Sequence, residues 1–410
     1  MNILMLANKP PFPPVDGGTI ATFNMAKGFA QNGHQVTVLC MNTLKHNTDT
    51  ADIPRDVTEM MRILTVNVPA GINSFSALIN LLFSRKPYNA QRFVSPDFAK
   101  ALVSLLGKED FDIVQTEGLY LTPYVPIARK HTKALFALRA HNVEHEIWER
   151  ITAGEQSFFK RTYLRNLTRR IKRMETAALL NYDMLVTITK RDLTIFKRLG
   201  NTATAFVAPT GIDTSAVFPE RDVTDYPSLF HIGALDWAPN REGLLWFLEN
   251  CWEKLKTMHP ELKFYIAGRN APVWFEKRLT GVEYVGEVED AHGFMRGKAV
   301  MIVPLLSGSG MRVKIVEGMT LGKTIVTTSI GAEGIDCTHN ENILIADSPE
   351  EFQNEIERIL NDKLLFDHIG ENAMRFIRER YDNLKITGEL CAFFQKAIRQ
   401  HHEKACDPAE

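Results

Sequence analysis

No stretch of the chain reaches about 18 consecutive apolar residues, the length a bilayer-spanning helix needs, so no transmembrane segment is expected. Cysteine is sparse. The five cysteines (Cys40, Cys251, Cys337, Cys391, Cys406) are scattered and never spaced C-x-x-C, which argues against a disulfide framework or a zinc site and fits a reducing cytoplasm. Low-complexity tracts are also missing, so little of the chain is expected to be disordered. Neither sign of charge dominates: 48 Lys and Arg against 49 Asp and Glu leave a formal net charge of −1, a poor match to a general polyanion or nucleic-acid binder. Residues 1–9 run into a proline cluster without a basic leader or a small-residue cleavage site, and read as a first strand.

What the sequence does contain is a rhythm. At 410 residues it exceeds one ordinary core, and a norm of about 150 residues per domain points to two lobes. Short β-branched runs alternate with segments of helical period, the pattern of βαβ units and parallel sheets. One series has strands near 3–6, 35–40, 63–68, 113–115, 135–139 and 184–188. A second has them near 204–208, 229–232, 263–267, 283–285, 300–303, 324–327 and 343–345. Pro209, Gly211 and Pro219 break the periodicity between them, placing a seam at 201–223, and a helical pattern over 385–400 ends the regular structure.

Four segments carry candidate chemistry. After the first strand, residues 10–19 (PPFPPVDGGT) bring Gly17 and Gly18 to a helix start, where their amides could approach an anion or simply form a tight turn. The acid and glycine spacing of a dehydrogenase fingerprint is absent there. Residues 139–146 (RAHNVEHE) crowd polar groups at the C-terminal end of a strand, the ligand edge of an open α/β sheet; Arg139 and His141 are the candidates, while Glu144, His145 and Glu146 can equally begin the next helix. In the loop after an early second-series strand, Asp236, Asn240 and Arg241 serve either a ligand or the turn itself. Residues 303–319 (VPLLSGSGMRVKIVEGM) empty a buried strand into a Ser/Gly loop and a helix. Arg312 and Lys314 in that first turn oppose the helix dipole by a few tenths of a kcal/mol each, unless an anion such as a diphosphate reverses the sign. Lys314 and Glu317 could instead be a solvated i,i+3 pair. Asp110 and Asp112 have a D-x-D spacing but precede a strand, the wrong edge for a metal-assisted site. Residues 158–174 hold seven Lys or Arg among aromatic and aliphatic residues, a pattern suited to anionic lipid or to a solvated helix face; 78–83 followed by Arg85 and Lys86 is a weaker example.

These segments, with residues 209–213 (PTGID), Gly268-Arg269, Gly286-Glu287-Val288 and 370–373 (GENA), resemble the family 4 (group 1) retaining glycosyltransferases almost end to end. The resemblance implies a GT-B fold: two Rossmann-like, doubly wound parallel-sheet domains facing across a cleft, acceptor-binding over 1–204 and donor-binding over 205–384, with a C-terminal helix (385–410) returning to the first. It implies that Glu317 holds the donor ribose, that main chain around Glu287 and Val288 reads the base, and that amides over Ser309, Gly310, Met311 and Arg312 meet the diphosphate or sugar. Gly17 and Gly18 would approach the diphosphate and His141 the transferred sugar, with Arg139, Gly233, Asn240 and Arg269 completing the donor set. No metal or other cofactor is implied, and the acceptor would be a saccharide or a lipid-linked one in cell-surface polysaccharide or glycolipid assembly.

Two positions depart from the family. The first acid of its paired-acid element is Ser309, and the arginine that usually follows the glycine of the early second-lobe loop is Ala234. Arg312 and Lys314 are expected to neutralise the leaving diphosphate instead. The departures also leave open a degenerate nucleotide-sugar binder, and a GT-B sugar epimerase is the third alternative.

Overall fold

The computed structural model describes residues 1–214, 225–279, 281–308 and 310–406; Ser309 and the part of the expected seam from 215 to 223 lie outside them. Two compact units emerge, Met1–Gly211 together with the terminal segment from Asn383, and Ile212–Asp382.

Among the described residues the first unit has a seven-stranded sheet: β1 (Asn2–Ala7), β2 (Gln35–Asn42), β3 (Arg62–Asn67), β4 (Ile113–Glu117), β5 (Leu135–Ala140), β6 (Met184–Thr187) and β7 (Thr204–Val207). Every pairing is parallel, in the order β3-β2-β1-β4-β5-β6-β7. β1 shows why an unbroken apolar run forms such a strand. Leu4 and Leu6 enter one hydrophobic cluster, Ile3, Met5 and Ala7 the cluster on the opposite face, and both faces are covered. The second unit repeats the plan with β8 (Asp225–Ile232), β9 (Lys263–Ala267), β10 (Glu283–Gly286), β11 (Lys298–Val303), β12 (Thr324–Thr327) and β13 (Leu344–Ile345), ordered β10-β9-β8-β11-β12-β13. In both sheets the winding reverses beside the first strand, so a crevice opens at the carboxyl ends of β1 and β4 and, separately, of β8 and β11.

One assignment changes. The strand expected near 204–208 in the second lobe is β7, paired in parallel with β6, so the first unit runs to Gly211 rather than ending at 204. Periodicity identifies a strand but not the sheet edge it joins, and the apolar pattern on either side of this one is alike.

The terminal helix, Asn383–Cys406, packs on the helix Gly17–Gln31 of the first unit. A Cβ on Gly28 would stand 2.4 Å from Thr387 Oγ1 and 2.8 Å from Asn383 Nδ2. The Asn32 amide donates to Leu384 O and Thr387 Oγ1, and the rings of Phe29 and Phe394 are 6.1 Å apart. This contact predicts that Gly28→Val destabilises the first unit by about 1–3 kcal/mol through overpacking, read as a lowered melting temperature; an unchanged melting curve would contradict close helix contact there.

Candidate functional site

In the second unit, β11 gives way to a loop and the helix Val313–Thr320, whose N-cap residue is Arg312. The Arg312 side chain is buried; Nη1 donates to Gly310 O at 2.7 Å, and the guanidinium lies 5.7 Å from the centre of the Trp237 ring. Gly308 permits this closure, because at φ 120° its hypothetical Cβ would be 2.8 Å from Arg312 Nη2 and 3.3 Å from Trp237.

Lys314 turns away from that loop toward the end of β8. Its Nζ donates to Asn240 Oδ1 (2.9 Å) and Ile232 O (3.2 Å), and lies 3.2 Å from His231 Nε2. His231 is fully buried, with Nδ1 3.0 Å from the Ile302 carbonyl. An Nδ1–H donating to that carbonyl leaves Nε2 to accept from Lys314, which fixes the neutral tautomer. Burial and the neighbouring Lys314 push the His231 pKa well down. Burial, and secondarily Arg312, lower Lys314 to about 7. Lys314 is therefore a half-buried amine that gives up its proton near neutrality, with no carboxylate among the partners just described.

The anticipated Lys314–Glu317 alternative is not what these side chains do. Glu317 Oε1 lies 3.9 Å from His292 Nε2, and its carboxylate raises the His292 pKa. Asn240, expected at the donor, is buried and bridges Lys314 to Ala234 O, and Arg241 donates to Leu235 O; both hold the loop. A Cβ on Gly233 would lie 3.1 Å from Lys314 Nζ, and one on Gly268 2.1 Å from Gly233 O, so the ends of β8 and β9 meet through glycines. Arg269 follows with its carbonyl accepting from Leu235 N. Glu287 is exposed and Val288 half-buried beyond β10; Gly310 and Met311 are half-buried in the loop before Arg312. These residues sit on the loops, or in the helices that follow them, at the carboxyl ends of the strands.

The first unit gathers a different set at the ends of β1, β4 and β5. Glu117 is buried; Oε2 accepts from Arg139 Nη1 (2.9 Å) and Thr22 Oγ1 (3.3 Å) and lies 2.6 Å from His141 Nε2, while Oε1 accepts from Gln115 Nε2 (2.6 Å). Burial alone would raise the Glu117 pKa, but Arg139 and His141 outweigh it and bring it to about 2. His141 is lowered, chiefly by burial, with Arg139 and Lys9 reinforcing it. A neutral imidazole whose Nε2–H faces the carboxylate presents Nδ1 as an acceptor. Arg139, expected to touch a ligand, is wholly buried and also donates to Ala21 O; its role here is to charge-balance Glu117, because an arginine in a central strand must find its anion inside.

Gly17 and Gly18 do begin a helix, but its start is closed by its own cap: Asp16 Oδ1 accepts from Gly18 N and Thr19 N at 2.9 Å, and Lys9 Nζ lies 2.6 Å from the same carboxylate. The Gly18 amide is therefore engaged rather than open, and Lys9 is the cation at that edge. Of the polar residues after His141, His145 is satisfied by buried Glu175, which also accepts from the amides of Glu144 and His145. Asp112 accepts from Asn2 N at the amino edge of β4. Sequence reading missed Glu117, His231, His292 and Trp237. Glu117 alone had a signal, an acid at the carboxyl end of a strand.

An anion brought to Lys314 must restore its charge. Above pH about 7 binding of a nucleoside diphosphate should then take up close to one proton, and its dissociation constant should rise up to about tenfold per pH unit. Calorimetry in two buffers of different ionisation enthalpy measures the uptake, which Lys314→Met should abolish; pH-independent binding without uptake would contradict this charge balance.

Comparison with known proteins follows the same division. Residues 15–216 match the profile of Glycosyltransferase Family 4, and residues 226–362 that of Glycosyl transferases group 1. The chain is 25% identical over 265 residues to a 44.6 kDa protein of the cps region of Klebsiella pneumoniae, covering 62% of this chain and 66% of that protein. It is 28% identical over 122 residues to a protein of Methanocaldococcus jannaschii described as a glycosyltransferase, covering 29% and 31%. The chain thus spans less than two thirds of the length of these relatives. Among solved structures, sucrose-phosphate synthase from Thermosynechococcus elongatus superposes with a TM-score of 0.72 at 16% identity, over 98% of this chain and 100% of that one. Anabaena HepE in complex with UDP and glucose does so with a TM-score of 0.66 at 13% identity, over 96% and 99%. With both profiles matched and both sheets wound as in these structures, the chain belongs to family 4, group 1, of the glycosyltransferases and has their GT-B fold.

Proposed function

We propose that the chain transfers a sugar, with retention of anomeric configuration, from a nucleoside diphosphate sugar to a hydroxyl of a saccharide or lipid-linked acceptor, in the assembly of cell-surface polysaccharide or glycolipid. The observation that carries this reading is the position of Lys314. Its ammonium stands against Gly233, beside the loop where Ala234 replaces the family's usual arginine, with Arg312 raising the local positive potential. The cationic function missing from that loop is thus restored from the helix after β11. HepE, crystallised with UDP, with UDP-glucose and with UDP and glucose, and the cps-region relative support a nucleotide-sugar donor and a polysaccharide role.

In this reaction the bond between anomeric carbon and phosphate oxygen breaks with its electron pair going to the diphosphate. Lys314 and Arg312 stabilise that charge, which grows toward the transition state. The acceptor oxygen bonds to the anomeric carbon from the same face, and its proton passes to the leaving phosphate, so retention needs no enzymic nucleophile. Glu317 accepts hydrogen bonds from the ribose hydroxyls, main chain near Glu287 and Val288 reads the base, and His141, neutral, accepts one from the transferred sugar. No metal is assigned a role. The helix stretch 158–174 provides peripheral contact with a membrane face, on the cytoplasmic side.

Arg312→Ala should lower kcat about 10²-fold while leaving donor dissociation nearly unchanged; equal losses in both would argue against a role in departure of the diphosphate. A panel of nucleotide sugars should give free nucleoside diphosphate and a glycosylated acceptor of unchanged anomeric configuration. An altered sugar on an intact nucleotide would instead identify an epimerase, and binding without turnover a degenerate member.

A further inference from the structure

The helix Ser74–Phe83 (SFSALINLLF) is turned inside out. Phe75, Leu78, Ile79, Leu82 and Phe83 recur at the i, i+3, i+4, i+7, i+8 spacing of a core-facing stripe. Yet all five are exposed, Phe75 to 71%, Leu82 to 65% and Phe83 to 84%, while Asn80 is buried. Ile72, just before the helix, is also exposed. A cavity of about 680 Å³, bordered by Asn80, Phe83, Tyr88 and Arg92, lies beside this helix. Polar bonds tether it: Asn80 Nδ2 donates to Gln91 Oε1, and Arg170 donates through Nη1 to Asn80 O and through Nη2 to Leu81 O.

Arg170 belongs to the helix Phe158–Ala178, so the apolar stripe is coupled to the most basic helix of the chain. That helix has seven Lys or Arg and one acid, Glu175, which is buried. Arg161, Arg165, Arg169 and Lys172 border a second cavity of about 570 Å³, across which Glu149 is the one acid. Phe158 and Phe159 at its start are exposed as well. On the other side, no Asp or Glu occurs between Glu59 and Asp97, whereas Arg85 and Lys86 directly follow the stripe.

We propose that Ser74–Phe83 is a wedge that inserts into an anionic lipid surface, with Arg85, Lys86 and the cations of Phe158–Ala178 holding lipid phosphates around it. The charge pattern selects lipid over a protein partner or a second copy of the chain: cations follow the stripe in sequence and line the helix tethered to it, with Glu149 the one acid lining their cavity, which suits a plane of like negative charges. The inference deepens the peripheral contact proposed for 158–174 but does not depend on sugar transfer.

The test is flotation of the full chain with vesicles of phosphatidylcholine alone and of phosphatidylcholine with phosphatidylglycerol. The parent protein should float with the anionic vesicles and stay partly bound in high salt. Phe75→Ser, Leu82→Ser and Phe83→Ser together should reduce recovery about tenfold, and Arg165→Glu with Arg169→Glu should remove the preference for anionic lipid. These side chains are exposed, so the melting temperature should hold, and transfer to a water-soluble acceptor should persist in the wedge variant. The inference is overturned if the parent fails to float, if the wedge variant floats equally well, or if the stripe instead mediates a dimer that the wedge substitutions dissociate without changing lipid recovery. Loss of transfer with flotation intact would count against the enzymatic reading alone.

Discussion

The half-buried Lys314 amine lies against a neutral imidazole, an amide oxygen and a main-chain carbonyl, with a guanidinium close enough to disfavour its charge. Dipoles of that kind stabilise a cation less than a carboxylate would, and the protein tolerates the deficit because the loop around it is fixed from several sides. Asn240 ties the loop to Lys314, Arg241 pins the Leu235 carbonyl, and Gly233 and Gly268 let two strand ends touch. Such a site stores electrostatic potential that an anion such as a diphosphate would satisfy.

The first unit solves the equivalent placement in the opposite way. Its buried carboxylate, Glu117, meets a guanidinium, an imidazole, a hydroxyl and an amide, so the cluster is electrically complete without a ligand. What it offers outward is orientation: a ring locked in one tautomer with a single acceptor nitrogen. Two sheets of the same winding thus supply different chemistry, one an amine poised to take up a proton beside an anion and the other a positioned neutral acceptor, because each unit pairs its charges separately.

The sheets were legible in the sequence because parallel strands covered on both faces read as unbroken apolar runs, as residues 3–7 of β1 and 299–303 of β11 do. The seam was less legible, since β7 carries the same local pattern whichever sheet it joins. Arg312 and Lys314 stood out because positive charge at the start of a helix after a Ser/Gly loop opposes the dipole, and Glu317 through the family resemblance. The direction of Lys314 did not stand out: spacing along the helix pairs it with Glu317, and only tertiary structure reveals that His231, in a strand 83 residues earlier, takes its place. Arg139 was found by its position at a strand end, yet position says nothing of burial, and the acid that needs it lies 22 residues earlier in the adjacent strand. For Asn240 and Arg241, the ligand and turn readings differ only in where the side chain points, which the loop's own carbonyls decide.

The terminal helix completes the first unit: Phe393 and Phe394 cover Phe206 and Phe29, and Leu390 and Ile386 join the cluster beneath β1 and β2. A ribosome making this chain has therefore released all seven strands of that sheet, and then the entire second unit, before this apolar face can be covered. Throughout that interval the nascent first unit presents an uncovered apolar flank, so early termination of translation exposes more aggregation-prone surface than the loss of one helix would imply.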